Sequence, residues 1–144
     1  MDYFSAMKAA TINELKQELL NEKPAKLVEL CIRLARFKKE NKELLTYLLF
    51  EAHDTEAYIK SVIQEMDSNF ETINKSNAYF VKKTLRKILR ITHKFIRYSG
   101  SDIVATELLI HFCKTVKKMD KSITTNQVII NIYQNQFLNF HSFL

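Results

Sequence analysis

Apolar residues recur at intervals of three and four along almost the whole chain, and short polar breaks separate the runs, which is the signature of successive amphipathic helices. Thr11-Ile12-Asn13-Glu14 reads as a capping box opening a short first helix, with Leu15, Leu19 and Leu20 on one face. Pro24 suits the first position of a second helix, where its missing N–H is not needed. That helix runs to about Lys39 with Leu27, Leu30, Cys31, Leu34 and Phe37 as its stripe. A third carries Leu44, Leu45, Leu48 and Leu49, widened by Tyr47 and Phe50, which predicts a helix packed on two sides. Asp54 caps a fourth, in which Ile59, Val62, Ile63, Met66, Phe70 and Ile73 repeat at helical spacing. After a fifth helix, Ser101 or Asp102 caps a sixth with Val104, Leu108, Phe112, Val116 and Met119 inward. A last helix opens at Thr124 or Thr125, where Thr124 to Gln127 is a second capping box. No fixed-period repeat emerges. The pattern predicts an all-α fold: a single domain, 11–144, of six or seven antiparallel amphipathic helices in a bundle or a short stack of helical hairpins, after a loose extension over residues 1–10.

The fifth helix, Ser76 to Gly100, organises the rest. On a wheel of 100° per residue, Val81, Leu85, Ile88, Leu89, Thr92, Phe95 and Ile96 share one half. Lys82, Lys83, Arg86, Lys87, Arg90, His93, Lys94 and Arg97 occupy the other, with Tyr79 in the middle of their arc. Ser76 is the expected N-cap, and Gly100 stands where a helix end wants positive φ. The fourth helix leans acidic, so a hairpin of the two is expected to pair flanking Lys82 and Lys87 with acids and to leave the central line Lys83, Arg86, Arg90 and Arg97 facing outward.

Composition agrees with helices: one Gly and one Pro in 144 residues leave few sharp turns. The net charge of +6 is localised. Residues 1–71 hold 10 Lys+Arg against 13 Asp+Glu, residues 102–144 hold 4 against 3, and residues 72–101 hold 8 against none. The positive balance therefore belongs to one helix. Cys31 and Cys113 have no CxxC partner and read as small core hydrophobes in a reducing compartment. An acid at position 2 and the lack of a long apolar run argue against a secretory leader and a membrane span, so a cytoplasmic location is expected.

Few residue sets suggest chemistry. Glu51, His53 and Asp54 bring carboxylates near an imidazole, with no nucleophile or oxyanion site close in sequence. His111 and Cys113 are two apart and do not share a helix face, so they do not form a metal pair. No catalysis, metal or cofactor is expected. The loop 97–102 holds the only glycine and opens a helix, a geometry able to seat phosphate, although Asp102 opposes an anion and an ordinary cap explains it. Residues 122–144 contain no Asp, Glu, Lys or Arg. There Ile129, Ile132, Tyr133, Phe137 and Phe140 alternate with amides, as an oligomer interface would. Residues 11–19 with 26–30 are similar to the two-helix pattern of the SAP DNA-binding motif, with Asn21 to Pro24 in place of its glycine-containing turn, and no residue role carries over.

Two functional expectations result. In the first, the chain is a non-enzymatic helical binding module whose basic face over 76–98 (Tyr79, Lys83, Arg86, Arg90, Lys94 and Arg97) contacts an anionic macromolecule, either nucleic acid or an acidic protein surface. In the second, it is a structural or adaptor protein that forms a homodimer through 122–144.

Overall fold

The computed structural model of the chain describes residues 7–120 and 126–142, and the side chains of the last helix as far as Gln136. Among these residues lie seven α-helices, one π-helical turn and no strand. They are α1 (Ile12–Leu20), α2 (Pro24–Phe37), α3 (Lys39–Thr46), the π-turn (Tyr47–Glu51), α4 (Thr55–Glu71), α5 (Ala78–Ser99), α6 (Asp102–Lys117) and α7 (Gln127–Ser142).

The boundaries follow from local chemistry. Thr11 Oγ1 accepts from the Glu14 amide at 3.2 Å while the Glu14 carboxylate accepts from the Thr11 amide at 2.8 Å, which completes the expected capping box. Pro24 takes the first turn of α2, and Asp54 caps α4 through the Ala57 amide. The cap of α5 is Asn77, whose side chain accepts from the Phe80 amide at 3.1 Å. Ser76, expected in that role, lies one residue too early and donates its own amide to Asn74. Gly100 closes α5 at φ 59°, and Ser101 caps α6. The second capping box, Thr124 to Gln127, begins in residues outside those described.

Contacts group the chain into two compact units, Met1–Leu45 and Thr46–Leu144. In the first, no residue of α1, α2 or α3 is buried. Leu27, Leu30, Leu44 and Leu45 are half-buried, whereas Leu34 and Phe37 of the expected stripe are exposed. Cys31, expected in a core, is also exposed; Cys113 is half-buried, and both thiols are free.

The second unit holds the core. α4 contributes Val62 and Met66, α5 contributes Val81, Leu85 and Ile88, α6 contributes Val104, Leu108 and Phe112, and α7 contributes Ile129 and Ile132. Helices α4, α5 and α6 pack on one another, and α7 packs on α6 and α5. Full burial of each such side chain stabilises by about 1.5–3 kcal/mol, so this layer supplies most of the unit's cohesion. The two-sided burial expected for Leu44 to Phe50 is not found. The π-turn, closed by the Ala52 amide on the Tyr47 carbonyl at 2.9 Å, inserts a residue and breaks the four-residue phase. Tyr47 then meets the Tyr58 ring at 4.6 Å between centroids, while Leu48, Leu49 and Phe50 are left exposed.

Candidate functional site

Helix α5 is both the centre of the core and the carrier of the basic face. Its buried set, Val81, Leu85, Ile88, Leu89 and Thr92, shares one side of the helix. The centre of the basic arc lies about 150° round the helix from the centre of that set. The same packing that fixes the orientation of α5 therefore turns Lys83, Arg86, Arg90 and Arg97 to solvent, where all four are exposed. Cap and terminator set the length: Asn77 and Gly100 bracket 22 residues, or about 33 Å of helix.

Lys82, Lys83, Arg86, Lys87 and Arg90, with Tyr79 and Thr84, line an open hollow of about 560 Å³ on this face. Tyr79 is 60% exposed and stands edge-on to Phe80, 5.5 Å between centroids. Among the described residues, no carboxylate pairs with Lys82, Lys83, Arg86, Lys87, Arg90 or Arg97. The pairing expected of Lys82 and Lys87 with α4 is thus not made, and both belong to the hollow instead. The acids of α4 are engaged elsewhere or lie in solvent: Asp54 caps its own helix, Asp67 meets His111, and Glu56, Glu65 and Glu71 are exposed. Lys94 and Arg97 stand outside the hollow. The Lys94 ammonium lies 5.4 Å from the centroid of the Phe95 ring, and Arg97 occupies the last turn of α5, where the helix dipole favours a cation.

The remaining candidates separate cleanly. Ile129 and Ile132, read as interface residues, are buried in the protein's own core. Tyr133 is half-buried beside a 230 Å³ hollow that it lines with Val116, Lys117, Ile129 and Ile130. The side chains of Phe137 and Phe140 lie outside those described. The amide-rich composition of α7 is partly explained by Gln136, 7% exposed, whose Oε1 is 3.1 Å from His93 Nε2. In the 97–102 loop, the Gly100 amide donates to the Ile96 carbonyl, the Ser101 amide to Ser99 Oγ and the Val104 amide to Ser101 Oγ. Those amides serve the caps.

One histidine–carboxylate pair had no sequence signal. His111 Nε2 and Asp67 Oδ1 lie 2.6 Å apart across α4 and α6, 44 residues distant in sequence. Thr115, one turn on, gives its hydroxyl to the His111 carbonyl. Among the described residues, no group of three His, Cys, Asp or Glu is arranged to hold a metal ion, and no helix is long and apolar enough to cross a membrane.

Compared with protein-family models, curated proteins and solved structures, the chain matches none of them.

Proposed function

We propose that the protein is a non-enzymatic binding module whose α5 face engages an anionic macromolecule, with nucleic acid as the first choice. The observation that carries this reading is the absence, among the described residues, of any acid paired to Lys82, Lys83, Arg86, Lys87, Arg90 or Arg97. Lys82/Arg86, Lys83/Lys87 and Arg86/Arg90 are like-charge pairs at i,i+4, each destabilising by about 0.2–0.5 kcal/mol. A phosphate backbone laid along the face relieves that repulsion and gains the entropy of released counterions. Tyr79 supports nucleic acid over an acidic protein. An exposed ring inside a basic hollow offers a surface on which a base can stack, worth about 1–3 kcal/mol.

The test is fluorescence anisotropy with labelled single-stranded and duplex oligonucleotides over a salt series. Wild type is expected to bind at low salt, with log K falling linearly in log salt. The variant Lys83→Glu/Arg86→Glu/Arg90→Glu/Arg97→Glu is expected to lose binding, and Tyr79→Ala to weaken single-strand binding selectively. Binding that survives the fourfold reversal with a shallow salt slope defeats the proposal. An acidic protein becomes the partner if wild type ignores both oligonucleotides yet binds polyglutamate in the same salt-dependent way.

A further inference from the structure

Helix α2 exposes an apolar surface. Of its 14 residues none is buried, and Val28, Leu34 and Phe37 are exposed at 62%, 61% and 76%, with Ile32 at 42%. Cys31 is exposed among them. At 100° per residue these five side chains form one arc centred near Cys31, and Lys26, Glu29, Arg33 and Arg36 all fall on the opposite side. The arc is therefore wide, apolar and free of charge.

Such a face costs free energy to maintain. Ordering each residue of the first unit opposes folding by about 1–2 kcal/mol, and a unit with no buried helix residue recovers little of that from its own packing. The exposed side chains of the arc leave an unpartnered surface on the order of several hundred Å². That approaches the roughly 800 Å² that each partner gives to a standard interface.

We infer that α2 is a homodimer surface that pairs with α2 of a second copy about a two-fold axis passing close to Cys31. The charge pattern selects this occupant. An isologous interface must meet its own image, and a face carrying no charge does so without like-charge repulsion. Residue 31 is also near the middle of Pro24–Phe37, so antiparallel pairing about it uses the whole helix. Val28 then faces Leu34 of the second copy, and Leu27 faces the small Ala35, which lets the backbones approach. Antiparallel alignment opposes the helix dipoles favourably. The face of α5 does not suit the same pairing, because its uncompensated cations would repel their own image.

The proposal is tested on the full chain by analytical ultracentrifugation and by thiol oxidation. Wild type is expected to sediment as a concentration-dependent dimer of the 17.0 kDa chain. Leu34→Glu or Val28→Glu is expected to raise the dimer dissociation constant by about a hundredfold or more, because the loss counts twice across the axis. Both side chains are exposed, so far-UV circular dichroism is expected to stay unchanged, and Arg33→Glu on the far side of the helix should leave the dimer intact. Diamide, reduced to its hydrazine as two Cys31 thiols give up two electrons and two protons to it, should yield a disulfide-linked dimer. Cys31→Ser should abolish that product and Cys113→Ser should preserve it. A monomer at every accessible concentration overturns the inference, as does a dimer indifferent to Leu34→Glu and Val28→Glu or a crosslink that runs through Cys113. None of these outcomes bears on oligonucleotide binding by α5.

Discussion

Tyr58 shows how a single polar atom is carried into the core of the second unit. Its ring is 5% exposed, packed against Tyr47 and edge-on to Phe95, and its hydroxyl donates to the Phe95 carbonyl at 2.7 Å. Burial, with lesser contributions from Tyr47, Tyr98 and Glu51, pushes the phenol well above the ordinary tyrosine range. The folded protein therefore holds this proton where the unfolded chain releases it. Stability linked to it is complete below the unfolded value of about 10 and declines as pH rises beyond that. Tyr58→Phe is expected to cost about 1 kcal/mol at neutral pH, the net worth of one hydrogen bond, and to flatten the alkaline decline. Urea unfolding of both proteins across that alkaline range checks it. Parallel losses in the two would show that Tyr58 is not the group responsible. The sequence did not single Tyr58 out, because the polar end of an aromatic residue finds its partner only through the α4–α5 contact.

At the scale of the element, α5 was the most legible part of the chain. A helix pattern of Val81, Leu85, Ile88, Leu89 and Thr92 is long enough to fix which side is buried, and the basic arc follows as its complement. What the periodicity left open was the start, since Ser76 and Asn77 are both good caps and only the hydrogen bond from the Phe80 amide distinguishes them. Asn77→Ala is expected to lower stability by about 1 kcal/mol while Ser76→Ala changes it little, as thermal or urea unfolding would report. The reverse order would place the start of α5 at Ser76. Two other misreadings share one cause. The stripe through Leu48 and Leu49 assumed a continuous α-helix, which the π-turn interrupts. The pairing of Lys82 and Lys87 assumed that proximity of two helices brings their flanking charges together. Whether a charge reaches its partner depends on helix rotation to within a few ångströms, which periodicity does not give.

For the whole molecule, the all-helical fold was legible because one Gly, one Pro and runs of three-and-four spacing between short polar breaks admit little else. The uneven distribution of burial was not. α1 and α2 are as periodic as α5 and α6, yet among the described residues the buried side chains all belong to Thr46–Leu144. Amphipathicity reports that a face wants cover; it does not report whether this chain supplies the cover. The asymmetry has a measurable consequence, because an amide can exchange without global unfolding only where local opening exposes little apolar surface. Amides in α5 and α6, threaded through Leu85, Ile88, Leu108 and Phe112, are expected to exchange only through openings close in free energy to global unfolding. Those of α1 and α2 are expected to exchange with far lower protection in dilute protein. Native-state hydrogen exchange resolved by helix measures the difference, and uniform protection from α1 to α6 would show that the two units share one cooperative transition. Raising the protein concentration sharpens the test. If α2 meets a second copy of itself, its protection climbs with concentration while that of α5 stays fixed.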